Sequence, residues 1–180
     1  DTFEGSGVWG ALSTWQDENS VSWVYVPIWG PISIHAPKFA QINGTNPNGS
    51  IMAFKINEDS RNSSVNLEPA WVSGDFNVPE PVVVANGVLF GLSSGENVHQ
   101  TKEGGTIFGR KLSTLSDLQR KENTDRAVLL ALDARTGKVL FDSGKSFDTW
   151  THFSGLAIAE GCVYAVDFRS QVYCFGLRKV

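Results

Sequence analysis

The chain has 180 residues, which is enough for one domain with its own hydrophobic core. Its formal net charge of −4 argues against nonspecific nucleic-acid binding, because that binding needs a basic surface. No apolar run approaches the roughly 20 residues of a membrane-spanning helix, so we expect no transmembrane segment. The sequence begins at Asp1 and its single Met is internal, so we expect a mature form or a fragment.

The first unit of strand patterns spans residues 7–75. Short apolar runs, some of them rich in tryptophan, alternate there with polar segments, as is typical of a β-sheet. Residues 31–49 contain many Pro, Asn and Gly residues and predict a long loop. The predicted strands of this unit cover residues 7–17, 21–30, 50–56 and 69–73.

The second unit spans residues 79–144 and contains the clearest hairpin signal, Asn86-Gly87 between two apolar runs. Residues 96–126 are polar, and we interpret them as an insertion between the second and third strands. A short helix is expected at 113–121, because two leucines follow Ser and Thr caps at helical spacing. The predicted strands cover residues 82–85, 88–92, 127–133 and 138–141.

The third unit, residues 150–180, predicts only three strands, at 154–159, 161–168 and 171–177. Three four-stranded units would need a twelfth strand. The missing strand is the outermost one of the last unit, so the pattern predicts an exposed sheet edge at that position.

The chain has two cysteines, Cys162 and Cys174, and no CxxC motif, so a zinc or redox site has little support. A two-residue turn near Arg169-Ser170 would place their side chains on opposite faces of a hairpin. We predict two buried thiols, with a disulfide or a reactive cysteine as the alternatives.

A strand, a glycine turn and a second strand recur around Gly87 and Gly161, which indicates a repeat architecture. Residues 131–141 read ALDARTGKVLF and resemble the A-x-D-x-x-T-G-K-x-x-W repeat of pyrroloquinoline quinone (PQQ)-type β-propellers. Phe141 stands where that repeat has its docking tryptophan, and residues 161–165 are similar to its G-x-x-Y-A segment. The resemblance implies an all-β fold, a partial propeller of about three four-stranded blades from the C-terminal part of a bacterial member.

Two functions are compatible with this resemblance, since the family contains both noncatalytic scaffolds and quinoprotein dehydrogenases. The first is a noncatalytic binding or scaffolding domain, periplasmic or secreted. Its partners would be the missing N-terminal blades and a protein or glycan bound by the loops at 31–49 and 96–126. The second is the C-terminal part of a PQQ-dependent alcohol or sugar dehydrogenase that binds PQQ and calcium. We prefer the first, because no catalytic set is visible.

The second function would need oxygen ligands for calcium. Glu80, Glu96 and Asn97 are the candidate metal ligands, since each lies next to a strand end, and Asp148 is a further oxygen donor. Loop capping or solvation is the alternative for all of them.

A flat cofactor would need an aromatic platform. Trp9 and Trp29 each adjoin a glycine, which leaves room for a ligand, and His152 is a candidate acid, base or ligand. The alternatives are packing between sheets for the tryptophans and a structural role for the histidine. N-x-[ST] sequons begin at Asn43, Asn48 and Asn62, and they predict exposed polar loops.

Overall fold

The computed structural model describes residues 7–8, 10–59, 64–98 and 115–176, and it places their strands in three sheets. The first sheet contains β1 (Gly7–Val8), β2 (Ser13–Gln16), β3 (Ser22–Trp29), β4 (Gln41–Ile42), β5 (Gly49–Asp59) and β6 (Ser64–Val72). The second contains β7 (Val83–Ala85), β8 (Val88–Ser93), β9 (Val128–Asp133) and β10 (Val139–Asp142). The third contains β11 (Ala157–Ala159), β12 (Cys162–Val166) and β13 (Val172–Gly176), and one short helix, α1 (Asp117–Lys121), precedes β9.

The all-β prediction is confirmed, and none of the three sheets closes on itself. The second and third sheets are antiparallel meanders of four and three strands. In the first sheet, β1 and β2 both pair with β3, and the meander continues through β5 and β6. The three sheets are neighbours through one strand of each, since β7 contacts both β2 and β11.

The first sheet differs from the predicted four-stranded unit in two places. The predicted loop at 31–49 contains β4, which pairs in parallel with the outer edge of β6. The polar segment after residue 56 does not separate two strands but extends them into a long hairpin, in which Asn57 pairs with Asn66. The sequence did not predict this hairpin, because its polar composition is typical of a loop. Side chains in the hairpin face solvent rather than a core, and even Val65 and Leu67 are exposed.

The second sheet buries apolar side chains on both of its faces. Leu89 and Leu132 pack toward the first sheet, in a cluster with Tyr25. Leu92 and Leu129 point the other way and pack with residues of the third sheet. This arrangement follows from the alternation of side chains along a strand, and it stacks the sheets in the order first, second, third.

The outer face of the first sheet is covered by the chain's own loop. Ile32, Ala36 and Phe39 pack against a buried cluster that includes Met52. The rings of Phe39 and Phe54 meet edge to face with centroids 5.2 Å apart. The segment 32–39 is therefore part of the packing, although Ile34 within it is 80% exposed.

The segment that carries the family resemblance forms a tight turn between β9 and β10. The Asp133 carboxylate accepts hydrogen bonds from the backbone N–H groups of Arg135 and Thr136 at 3.0 and 2.8 Å. Gly137 has φ +69°, a left-handed conformation that favours glycine. Its peptide lies so close to the first sheet that a Cβ on Gly137 would be 2.4 Å from the Trp71 ring.

Polar bonds fix this turn to the first sheet. The Ala134 carbonyl accepts hydrogen bonds from Trp71 Nε1 at 3.1 Å and from the Tyr25 hydroxyl at 3.0 Å. Asn43 Nδ2 donates to the Thr136 carbonyl at 2.8 Å. Asn43, the first residue of one sequon, therefore does not lie in a free loop. Its side-chain amide is half-buried and joins two sheets.

Phe141, at the predicted docking position, contacts the next sheet as expected but remains 46% exposed. Its ring meets Phe175 of β13 edge to face, with centroids 6.3 Å apart. The tryptophan that contacts the turn at 133–137 is Trp71 on β6, which no motif in the sequence marked.

The prediction of two buried thiols on opposite faces is wrong. β12 and β13 are joined by the five residues 167–171, and Val166 pairs with Val172. Tyr164 then lies opposite Cys174, so that Cys162 and Cys174 share one face of the third sheet. Both thiols are free, and Cys174 is exposed.

Two glycine substitutions test the contact between the turn and Trp71. Gly137→Ala should lower the free energy of unfolding by about 3 kcal/mol, since it adds a left-handed alanine and a clash with the ring. Gly144→Ala is the matched control: φ is +55° and a Cβ there meets nothing within 4 Å. It should cost about 1 kcal/mol. Urea unfolding measures both, and equal losses would contradict the docking contact.

Candidate functional site

Several of the predicted site residues meet at one end of the sheet stack. Glu80 lies just before β7, Glu96 and Asn97 follow β8, and His152 precedes β11. Trp29 ends β3, and its Nε1 donates to the Val98 carbonyl at 2.8 Å. We call these five residues the strand-end cluster.

Backbone hydrogen bonds hold the segments of this cluster together. Glu80 N–H donates to the Leu92 carbonyl at 2.9 Å, and Thr151 N–H donates to the Ser94 carbonyl at 2.8 Å. Ser94 Oγ in turn donates to the Asn77 carbonyl at 3.1 Å. The beginning of the second sheet, the end of β8 and the segment before β11 are thereby fixed to one another.

Glu80 is 1% exposed and has no basic partner among the described residues. Its Oε1 accepts a hydrogen bond from Ser154 N–H at 3.2 Å, and Phe153 N–H also bonds to the carboxyl group. Oε2 has no hydrogen-bond partner among the described residues. Burial outweighs the two backbone bonds and raises the pKa of Glu80 to about 7.

Phe153 has φ +50°, which is unusual for a bulky residue, and its side chain is 70% exposed. The left-handed conformation turns two successive N–H groups toward one point, as in the backbone nests that bind anions. Glu80 Oε1 occupies that point, so the strained turn and the buried acid stabilise each other.

Glu96 is also 1% exposed, but a guanidinium and an imidazole lie beside its carboxylate. Its Oε1 forms an ion pair with the Arg120 guanidinium, and its Oε2 lies 2.8 Å from His152 Nδ1. Arg120 comes from α1, whose N-cap Ser116 forms a capping box with Gln119. The helix is shorter than predicted, and it anchors the insertion to the cluster.

A row of aromatic rings extends from the cluster along the third sheet. Trp150 stacks on Phe168 with centroids 4.2 Å apart, and its ring is 5.8 Å from that of His152. The Lys121 ammonium lies 5.2 Å from the centroid of Phe168. Trp150 is therefore a packing residue, as are Trp15 and Trp23 between the first two sheets.

Two candidates remain, Trp9 and Asp148. Trp9 falls outside the described residues. The space beside Gly10 is filled by Pro81, since a Cβ on that glycine would be 2.9 Å from Pro81 Cγ. Asp148 is exposed, and its carboxylate is 3.9 Å from the Arg126 guanidinium.

The strand-end cluster does not fit a calcium ion as its side chains stand. A calcium site needs several ionised or carbonyl oxygens directed at one point. Glu96 already shares its carboxylate between a guanidinium and an imidazole, and burial favours the neutral form of Glu80. Within the described ranges, no three His, Cys, Asp or Glu side chains are grouped so that they could hold a metal ion.

Sequence patterns placed Glu80 and Glu96 correctly at strand ends, but they did not identify Arg120, Phe153 or Ser154 as their partners. Arg120 belongs to a segment where many side chains are charged, so no local signal distinguishes it. In the part of the chain that the structure describes, no helix is long and apolar enough to span a membrane.

Comparisons with known proteins add no relative. No family model matches the chain, and neither a curated protein nor a solved structure is significantly similar to it.

The pKa of Glu80 predicts a pH dependence of stability. Because folding raises the pKa of Glu80 from 4.5 to about 7, its protonated form stabilises the folded protein. This contribution is complete below pH 4.5 and is lost as the pH rises through 7. Glu80→Gln cannot ionise and keeps an acceptor for Ser154 N–H. We therefore compare the free energies of unfolding of the unsubstituted protein and the Glu80→Gln variant at each pH. The value for the unsubstituted protein minus that for the variant should fall by about 3 kcal/mol between pH 4.5 and 8.

Glu68→Gln is the control for this experiment. Glu68 is exposed, and its bond to Asn57 and the nearby Lys55 lower its pKa, so its contribution is lost in acid instead. Urea unfolding at several pH values measures both variants. If the difference for Glu80→Gln is flat or rises with pH, Glu80 is ionised in the folded protein.

Proposed function

We propose that this chain is a noncatalytic binding or scaffolding module of the PQQ-like β-propeller type, acting outside the cytoplasm. The stacking of successive antiparallel meanders, with β2, β7 and β11 adjacent, supports a blade arrangement. The turn at 133–137, which resembles the family repeat, joins two successive sheets, as a blade-to-blade contact would. The resemblance alone motivates the periplasmic or secreted location.

The observation that carries the noncatalytic role is the internal use of the buried acids. Glu96 is held by Arg120 and His152, and Glu80 by the backbone of 153–154. Each carboxyl group joins segments that are distant in sequence, which is a structural task. Binding is then assigned to the exposed surfaces, with further blades of the propeller or a protein or glycan as partners.

A PQQ-dependent dehydrogenase of alcohols or sugars is the second candidate function, and one observation favours it. Glu80 is a buried carboxyl group with a pKa of about 7, and one of its oxygens has no hydrogen-bond partner among the described residues. Such groups occur often at catalytic sites. The same group also fits the structural role above, so catalysis needs evidence from the cofactor itself.

Titration of the protein with PQQ in the presence and absence of calcium distinguishes the two functions. The absorbance of PQQ reports its uptake, and a dye-linked assay with alcohols and sugars reports oxidation. We expect neither stoichiometric uptake nor turnover.

Uptake with turnover would contradict the noncatalytic role. Glu96→Gln should then abolish uptake if the strand-end cluster holds the cofactor. Asp148→Asn, which removes the charge of an exposed carboxylate, should leave it unchanged.

A further inference from the structure

The two cysteine thiols meet on one face of the third sheet, outside the strand-end cluster. Val163 and Ala165 of β12 are buried toward the second sheet, so Cys162, which alternates with them, lies on the opposite face. Cys174 of β13 lies on that face as well, because it pairs with Tyr164. We propose that Cys162 and Cys174 form a redox-active dithiol site, which low-molecular-weight disulfides oxidise reversibly to an intramolecular disulfide.

The register of β12 and β13 places the two cysteines diagonally across the strand pair. Cys162 pairs with Gly176, which is two positions after Cys174. Asp167 N–H donates to the Gln171 carbonyl, and the alternation of the ladder therefore makes the pairs that contain the cysteines non-hydrogen-bonded. Side chains approach each other most closely at such pairs, which favours contact between diagonal neighbours.

Side-chain contacts show that the two thiols already meet. Cys162 Sγ lies beside Gly176, where a Cβ on that glycine would be only 2.9 Å from the sulfur. The sulfur therefore reaches from β12 across to β13. The thiols of Cys162 and Cys174 hydrogen-bond to each other, and this contact is the largest cause of the raised pKa of Cys174. Cys174 is exposed, so a dissolved reagent can reach one member of the pair.

The diagonal placement also indicates that the disulfide would be strained. The Cα atoms of diagonal neighbours are about 7–8 Å apart, whereas a relaxed disulfide joins Cα atoms about 4.4–6.8 Å apart. Closure must therefore draw β12 and β13 together. A strained disulfide is reduced more easily than a relaxed one, which suits a reversible switch rather than a permanent cross-link.

The oxidation is a thiol–disulfide exchange in two steps. The thiolate of the exposed Cys174 attacks one sulfur of the reagent, which forms a mixed disulfide and releases half of the reagent as a thiol. The Cys162 thiolate then attacks the Cys174 sulfur and releases the other half. The two cysteines lose two protons and two electrons in total, and the reagent gains them as two thiols.

This inference goes beyond the proposed function and does not rest on it. Uptake of PQQ with turnover would overturn the noncatalytic role and leave the dithiol site untouched. Failure of the thiols to form a disulfide would overturn the dithiol site and leave the noncatalytic role untouched.

Dithiodipyridine tests the site in the folded protein, because each attack on it releases one molecule of light-absorbing thiopyridone. The unsubstituted chain should release two and retain no pyridylthio group, so that its mass falls by about 2 Da. Cys162→Ser, which leaves only the exposed thiol, should release one and retain one pyridylthio group. Retained groups on both cysteines of the unsubstituted chain, a disulfide-linked dimer or no reaction would each overturn the proposal.

A relocated cysteine provides the matched control. Val172 is 65% exposed and shares the face of Cys174, but it lies two positions further from Cys162 along the ladder. The double variant with Val172→Cys and Cys174→Val keeps two thiols and moves one of them about 7 Å along the strand. It should retain pyridylthio groups, and thermal unfolding verifies that it folds. Closure as complete as in the unsubstituted chain would show that the diagonal contact is not required.

Reduced glutathione tests the reversibility of the bond. In excess, it should reopen the disulfide of the folded protein and restore both thiols, which a second treatment with dithiodipyridine would count. A disulfide that survives this treatment would be a permanent cross-link, and the assignment of a switch would be wrong.

Discussion

Burial of both faces of the second sheet is the constraint on which the rest of the structure depends. Leu89 and Leu132 on one face and Leu92 and Leu129 on the other are all almost completely buried. Each such side chain contributes about 1.5–3 kcal/mol when it leaves water. A sheet that is apolar on both faces needs a partner on each side, and the first and third sheets are those partners.

Apolar contact is not directional, so it does not determine how stacked sheets are oriented. Hydrogen bonds at opposite ends of β8 and β9 supply that information. At one end, the Ala134 carbonyl binds Trp71 and Tyr25 of the first sheet. At the other end, Glu80 and the segment before β11 join the second and third sheets. Each buried polar group is costly alone, and each is positioned by bonds that form only in this arrangement.

Strand periodicity and turn residues were sufficient to predict an all-β fold and most strands, because both are local signals. The strand-end cluster was predictable only as separate residues. Glu96 and His152 are 56 residues apart, and Ser154 and Glu80 are 74 apart. Their contact depends on the stacking order of the sheets, which no local pattern encodes. Trp71 was not identified for the same reason, since its partner lies in the next sheet.

The register of β12 and β13, in contrast, has a local cause. In the turns at Asp17 and Asp167, the carboxylate accepts backbone N–H bonds from residues two and four positions later, at 2.9 and 3.0 Å in each turn. Its second oxygen accepts from the aromatic side chain six positions later, Trp23 or Tyr173. The serine three positions after each aspartate is left-handed, with φ of 62° and 64°.

This turn recurs in the first and third sheets although it joins different strands of the two meanders. Asp, Ser and an aromatic residue at positions 0, 3 and 6 therefore form a sequence signal for a five-residue connection, independent of its place in the sheet. An odd connection length shifts the pairing by one residue relative to a two-residue turn and reverses which side chains share a face. The Asp167 carboxylate thus places Cys162 and Cys174 on the same face of the third sheet.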